Sequence, residues 1–199
     1  MKFAKIYLVR HGAVVNKKNI IYGYLPLKLS PAGEREAKRA AIFLKDKKIS
    51  AILSSPIKRA WQTAKIISQI ISKGKIKVQI ERDLRETGWG QFLKGLTWEQ
   101  ARKKYPRETL FYSRLPSRVK KGENLQKMAA RMMKVVLRGI RKYPGRNLVL
   151  VSHRDPILAL LLKISRRSFD DLHQVQHLCD TGSVLEIDLI GKKLINKNF

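Results

Sequence analysis

Two apolar runs of this chain end in histidine, Leu8-Val9-Arg10-His11-Gly12 and Val151-Ser152-His153. The residues leading into them, Ala4 to Val9 and Asn147 to Ser152, are short, apolar and rich in β-branched side chains, so both read as buried strands. Ligands of open α/β sheets bind at the carboxyl ends of the strands. A neutral imidazole held rigidly there can attack phosphorus, and an adjacent guanidinium can hold phosphate oxygens in its planar fork. If the two strands lie side by side and parallel, both imidazoles reach one pocket. Ser54-Ser55-Pro56-Ile57-Lys58-Arg59-Ala60-Trp61-Gln62-Thr63-Ala64 adds Arg59 in the first turn of a helix, where free backbone N–H groups favour anions. Leu84-Arg85-Glu86 places a carboxyl group just after a further strand.

The elements that must position these groups alternate along the chain. Ser30-Pro31 opens a helix with serine at the N-cap and proline at the first position, and Ala37, Ala40, Ala41 and Leu44 mark its buried stripe to about Lys47. Ala51 to Ser54 is a short strand. Ser55-Pro56 repeats the start signal for a helix whose stripe is Ala60, Ala64, Ile67 and Ile71. Lys77 to Glu81 is predicted as a third strand. From Leu84 to Gly122 the pattern is irregular, broken by Gly88, Gly90, Gly95, Pro106 and Pro116, with one short helix from Thr97 to Tyr105. We read residues 84–122 as an insertion over the sheet edge, a lid or specificity element. A long helix follows from Asn124 to Tyr143. Its apolar face is Leu125, Met128, Ala129, Met132, Val136 and Ile140, and its basic face is Lys127, Arg131, Lys134, Arg138 and Arg141. Packing on the sheet is preferred to a membrane surface for this helix. Pro156 to Ile164 begins another helix, and Val184 to Ile190 with Lys193 to Ile195, around Gly191-Lys192, form a terminal hairpin. The expected architecture is a single domain over 1–199: a three-layer α/β/α sandwich with a mostly parallel central sheet and a small lid insertion.

Composition bounds the partners. The chain carries 43 Lys+Arg against 15 Asp+Glu in 199 residues, a formal charge of +28, so it attracts anions, from phosphorylated metabolites to nucleic acid. The basic residues are spread along the chain rather than gathered in a tail. No RNA-binding aromatic motif or helix-turn-helix signature accompanies them. No apolar run reaches membrane-spanning length and no export signal is recognisable, so a cytoplasmic protein without membrane contact is expected. Cys179 stands alone and cannot form an intramolecular disulfide. His173 and His177 have helical ligand spacing, yet no third ligand type clusters near them, so no metal site and no cofactor is expected. Oligomeric state is not legible.

Taken together and in this order, Arg10-His11-Gly12, Ser-Pro-x-x-Arg-Ala-x-Gln-Thr-Ala from Ser55 to Ala64, Glu86 and Val151-Ser152-His153 resemble the histidine phosphatase superfamily, which includes the phosphoglycerate mutases and their phosphatase relatives. The similarity runs from Ile6 to about Leu162. It implies that His11 is the nucleophile that becomes phosphohistidine, that Arg10, Arg59 and His153 clamp the phosphate, and that Glu86 is the general acid, with Glu81 and Asp83 as neighbouring alternatives. Gly12, Asn16 and the loop at Tyr22-Gly23 sit where relatives contact substrate or phosphate, and Tyr22-Gly23-Tyr24-Leu25-Pro26 is similar to a subset of the family. The implied activity is a metal-independent phosphomonoesterase acting on a small phosphorylated metabolite. Mutases of the family are typically longer, which favours the phosphatase branch. Phosphoglycerate mutase-type phosphotransfer is the alternative enzyme, and a weakly catalytic basic domain that binds nucleic acid is the alternative of another class. Three positions depart from the family pattern. Ala13 replaces an acidic residue or glutamine, Asn16 lies one residue early except within the Tyr-Gly subset, and Arg154 replaces glycine after the second histidine. Arg154 either crowds the pocket or adds a donor for a polyanionic substrate, and Arg114, Arg118, Lys120 and Lys121 of the insertion are expected to select acidic or multiply phosphorylated compounds.

Overall fold

The computed structural model describes residues 5–88, 92–120, 122–188 and 193–197. Ala4, Gly90, Lys121, Ile190 and the Gly191-Lys192 turn lie outside the described residues. Six strands, β1 (Ile6–Arg10), β2 (Ile49–Ser54), β3 (Val78–Ile80), β4 (Asn147–Ser152), β5 (Val184–Asp188) and β6 (Lys193–Lys197), form one sheet in the order β3-β2-β4-β1-β5-β6. The first four run parallel, and β5 and β6 close one edge antiparallel. Alternation along the strands divides the core in two. Ile6, Leu8, Leu148 and Leu150 face α5 (Leu125–Lys142) and α6 (Arg154–Ile164), while Tyr7, Val9, Val149 and Val151 face α1 (Pro31–Leu44) and α2 (Lys58–Ser72). Strands buried on both faces need helices on both, which makes the three-layer α/β/α sandwich.

Several local expectations give way to tertiary contacts. Ser30 does cap α1, accepting from Gly33 N–H. Ser55 does not cap α2: that helix begins at Lys58 with Ile57 at its N-cap, because the Ser55 side chain is drawn into the site described below. Pro106 does not interrupt the insertion. It opens a further helix, α4 (Pro106–Arg114), directly after α3 (Trp98–Lys104), which Thr97 and Gln100 begin with a reciprocal capping box. The long helix α5 packs on the sheet through Leu125, Met128, Ala129, Met132 and Val136, but Arg131 is on its buried side, 6% exposed, not on a solvated basic face. The third strand is shorter than expected, Val78–Ile80. His173 and His177 fall in separate 3-10 turns, so they share no helix face. Among the described residues no helix is long and apolar enough to cross a membrane.

Candidate active site

The register of the sheet brings the distant histidines together. β1 and β4 are adjacent and parallel with Arg10 opposite Ser152, so His11 and His153 leave the sheet side by side, ring centroids 5.0 Å apart. Gly12 lets the chain turn tightly here: a Cβ on it would stand 2.2 Å from the Gly33 carbonyl oxygen, and one on Gly33 would stand 2.0 Å from that of Ala13. Only two glycines permit the start of α1 to press this closely on the end of β1. The Gly12 N–H donates to Thr63 Oγ1, which in turn donates to the Arg59 carbonyl, joining the turn to α2.

His11 is 1% exposed, and both ring nitrogens are engaged. Nδ1 lies 2.8 Å from the Gly12 carbonyl oxygen, and Nε2 lies 3.0 Å from Arg59 Nε. A guanidinium only donates, so Nε2 accepts and the ring proton resides on Nδ1. Burial, reinforced by Arg59 and Arg10, drives the imidazole pKa well below its ordinary 6.5. Nε2 is therefore unprotonated. Arg59 is wholly buried in the first turn of α2, with Nη2 donating to the Gly23 carbonyl at 2.8 Å, Nη1 to that of Leu25 at 3.2 Å, and the Tyr22 ring against its face. Tyr22 and Gly23 thus hold the arginine from the loop side.

Arg10 and His153 each keep a polar atom in reserve. Arg10 Nη1 donates to the Cys179 carbonyl at 2.8 Å, while its buried Nε has no partner among the described residues. His153 Nε2 lies 2.8 Å from Ser55 Oγ. Ser55 Oγ already accepts from Ile57 N–H, and its proton has no other acceptor among the described residues, so it donates to Nε2. This leaves the His153 proton on Nδ1, which is buried, unpartnered and 3.6 Å from Glu86 Oε2. Burial, with Arg59 and His11 next, holds the His153 pKa well below 6.5, so this N–H is neutral. Unpaired buried donors are costly, and two in one cluster suit a bound acceptor.

Glu86 completes the ring. Oε1 accepts from Thr87 N–H at 2.9 Å, and Oε2 stands 3.6 Å from Arg59 Nη2. Burial raises its pKa above the usual carboxylic value, helped by the Asp155 charge and opposed by Arg59, the Thr87 amide and Arg154. Desolvation outweighs the surrounding cations, which sequence alone could not decide. Glu81 and Asp83 are engaged elsewhere: Glu81 caps a 3-10 turn (Arg82–Leu84), and both pair with Arg138.

A sequence model of the histidine phosphatase superfamily (branch 1) matches residues 6–197. The chain belongs to this superfamily. It is 36% identical over 163 residues to phosphoglycerate mutase-like protein 4 of Arabidopsis thaliana, covering 79% of this chain and 70% of that protein. It is 30% identical over 179 residues to a 2,3-bisphosphoglycerate-dependent phosphoglycerate mutase of Cytophaga hutchinsonii, covering 85% and 81%. Its fold superposes on mycobacterial glucosyl-3-phosphoglycerate phosphatase, solved as a VO3 complex, with a TM-score of 0.79 at 25% identity, covering 93% of this chain and 92% of that one. The chain is thus an enzyme of the histidine phosphatase superfamily, a phosphatase or a mutase.

In this histidine phosphatase fold Arg10 and Glu86 of the cluster line a cavity of about 220 Å³. Tyr22, Gly23, Asn16, Trp98, Tyr112, Arg154 and Asp155 are among the residues that complete its lining. The Asn16 amide is spent on its own loop, donating to the Ile20 carbonyl and accepting from Ile20 N–H, so it shapes the rim. Arg154 does not crowd the pocket. Its Nε donates to Asp155 Oδ1 and its Nη2 to the Tyr112 hydroxyl, each at 3.1 Å, while Tyr112 donates to Asp155 Oδ2 at 2.9 Å. Tyr112 also stacks on Trp98 with ring centroids 5.7 Å apart. Sequence reasoning missed Ser55, Trp98, Tyr112, Asp155 and Arg131. The doubled serine at Ser54-Ser55 is a signal for the first, whereas Tyr112 sits on α4, whose opening Pro106 reads in sequence as a break. Arg114, Arg118 and Lys120 do not line this cavity: Arg118 and Lys120 border a separate groove with Arg107. Ligand atoms of His11, Glu86 and His153 fall within 4.8 Å of one another. With Arg59 donating directly to His11 Nε2, the same space presents positive charge and suits an oxyanion better than a metal cation.

Proposed function

We propose that this protein is a metal-independent phosphomonoesterase that works through a phosphohistidine at His11. The observation that carries the proposal is the protonation pattern: an unprotonated His11 Nε2 lies in a buried cluster in which Arg10 Nε and His153 Nδ1 have no partner among the described residues. A phosphate monoester entering there takes Arg59 Nε from His11 onto a phosphoryl oxygen. The Nε2 lone pair then attacks phosphorus in line as the P–O bond to the leaving group breaks. Glu86 gives its proton to the departing oxygen. Water attacks phosphohistidine in the second step, its proton returns to the Glu86 carboxylate, and inorganic phosphate leaves with His11 restored. Charge neutralisation by Arg10, Arg59 and the His153 N–H does the work that a metal does in other phosphatases.

In this reading α3 and α4 supply the wall opposite the phosphate cradle, and Trp98 and Tyr112 act there on the leaving group. Arg154 supplies a donor to substrates with a second anionic group. The charge of +28 draws polyanions to the surface without base-specific contacts, an accessory and salt-sensitive property. The test is turnover of p-nitrophenyl phosphate with chelator present. The expected result is undiminished release of phosphate, a trapped phosphorylated His11 on acid-free quenching, and loss of turnover in His11→Ala. Retained turnover in that variant removes His11 from the mechanism. Similarity to a mutase at 30% identity supports one other reading, phosphotransfer between hydroxyls, which predicts little net phosphate release and strong stimulation by a bisphosphorylated primer.

A further inference from the structure

Arg131 is a buried guanidinium with no place in the mechanism above. It projects from α5 under the segment that carries Glu86, and every bond it makes there is to that segment or to Glu123. Nη1 donates to the Asp83 carbonyl and Nη2 to the Glu86 carbonyl at 3.2 Å. Nε and Nη2 donate to the two Glu123 carboxylate oxygens at 2.7 and 2.9 Å, a bidentate pair. Glu123 Oε2 also accepts from Gly88 N–H at 3.3 Å. The backbone is therefore gripped at the Glu86 carbonyl by the arginine and two residues later by its partner carboxylate. A third tie comes from the sheet, where Ser152 Oγ donates to the Leu84 carbonyl at 2.7 Å.

We infer that Arg131, together with Glu123, is a positioning residue for the proton donor: the pair fixes the backbone on both sides of Glu86 and so sets its carboxyl at the leaving oxygen. This rests on the phosphomonoesterase reading and goes beyond it in giving the acid its own support, separate from the phosphate cradle. The geometry argues against a purely structural ion pair. A residue that only cemented α5 to the sheet would bond to the strands, whereas Arg131 donates to main-chain oxygens of the segment that follows β3. Arg138, two turns further along the same helix, is the internal contrast: it is half exposed and, among the described residues, pairs with the side chains of Glu81 and Asp83.

Leaving-group dependence separates positioning from stability. A 2,4-dinitrophenolate leaves without needing a proton, whereas an alkoxide or phenolate needs one, so misplacing Glu86 slows phenyl phosphate far more than 2,4-dinitrophenyl phosphate. kcat/KM is the quantity to follow because it stops at formation of phosphohistidine. Glu86→Gln sets the scale. Arg131→Lys keeps the charge and loses the fork. Glu123→Gln keeps the shape and serves should the arginine variant not fold. In both we expect kcat/KM for phenyl phosphate to fall about tenfold or more, since roughly 1 Å of misplacement can cost ~100-fold, with less than about a twofold change for the dinitrophenyl ester. Arg138→Gln should alter neither. Equal losses on both esters, or no loss on either, overturn the inference while leaving the phosphohistidine reading intact. A Glu86→Gln enzyme that treats the two esters alike removes Glu86 as the acid and this inference with it. Failure of the wild-type chain to cleave either ester instead sinks the parent proposal.

Discussion

The two sides of the active cavity are built on different principles. The proposed phosphate side is made from the ends of β1 and β4 and the first turn of α2, and three of its four groups are held by main-chain acceptors, His153 alone resting on a side chain, that of Ser55. His11 is held by the Gly12 carbonyl, Arg10 by that of Cys179, and Arg59 by those of Gly23 and Leu25. The leaving-group side is made from the short helices α3 and α4 and the start of α6, and side chains hold one another there: Arg154 to Asp155 and Tyr112, and Tyr112 to Trp98. Main-chain anchors fix a geometry that does not depend on neighbouring side-chain types. Side-chain networks can be rewritten one residue at a time. The phosphate side should therefore serve every substrate equally, and the opposite wall should discriminate among them.

The most severe test of that division is Arg59. Replacing it with methionine removes a donor to the reacting phosphate and frees the Gly23 and Leu25 carbonyls that hold the Tyr22 loop. Loss of one charge-stabilising donor typically costs ~100- to 1,000-fold in kcat, and the loop adds to it. We expect kcat to fall at least ~100-fold on dinitrophenyl, phenyl and alkyl esters alike. A loss confined to one substrate class would mean that the phosphate side also discriminates, and the contrast would fail.

Glu86 stands between the two sides, and pH exposes its role. With ordinary values, a histidine of pKa 6.5 and a carboxyl of 4.5 would both be in the wrong state between those limits, the imidazole protonated and the carboxyl ionised. Burial reverses this. His11 keeps its lone pair below 6.5, and Glu86 keeps its proton above 4.5, so the proposed nucleophile and the proposed acid are ready together. The acid limb of kcat/KM for phenyl phosphate then lies below the imidazole range, and the alkaline limb follows Glu86. Glu86→Gln should lower kcat/KM for phenyl phosphate ~100-fold, within the usual range for a general acid, and abolish its alkaline limb. An unchanged alkaline limb assigns it to another group. Stability carries the matching signs. The stabilisation from protonated Glu86 is lost as pH rises through its elevated pKa. That from the neutral histidines is lost as pH falls below 6.5, where the unfolded imidazoles bind protons and the folded ones do not.

The same contrast explains what could be read from the residues alone. The strands, α1, the long helix and the converging histidines were legible because short apolar runs, helical apolar stripes and strand-end positions are local patterns that the sheet preserves. Arg10, His11, Arg59, Glu86 and His153 come together as the motif order implied. The wall was not legible. Pro106 looks like a break in sequence, and only packing reveals that it starts α4 and presents Tyr112. Arg131 follows the basic spacing of α5, yet the Asp83 and Glu86 carbonyls and the Glu123 carboxylate make its burial favourable. Ser55 matches a helix cap, yet the His153 ring competes for its hydroxyl. In each case a partner distant in sequence decided the outcome.

Arg154 gives the smallest and most selective effect. It lines the cavity with Nε and one N–H of Nη2 committed to Asp155 and Tyr112, which orients the guanidinium and leaves the Nη1 donors for a ligand. A hydrogen bond to a charged group is worth about 1.5–3 kcal/mol, or roughly ten- to a hundredfold. Glycerol 3-phosphate and 3-phosphoglycerate differ at one end only, hydroxymethyl against carboxylate. Arg154→Gln should therefore lower kcat/KM about tenfold for 3-phosphoglycerate and leave glycerol 3-phosphate within about twofold. If both fall equally, the arginine only braces Tyr112, and the wall excludes water without reading charge. If neither changes, the leaving group approaches along the Trp98 side, and discrimination belongs to the aromatic pair.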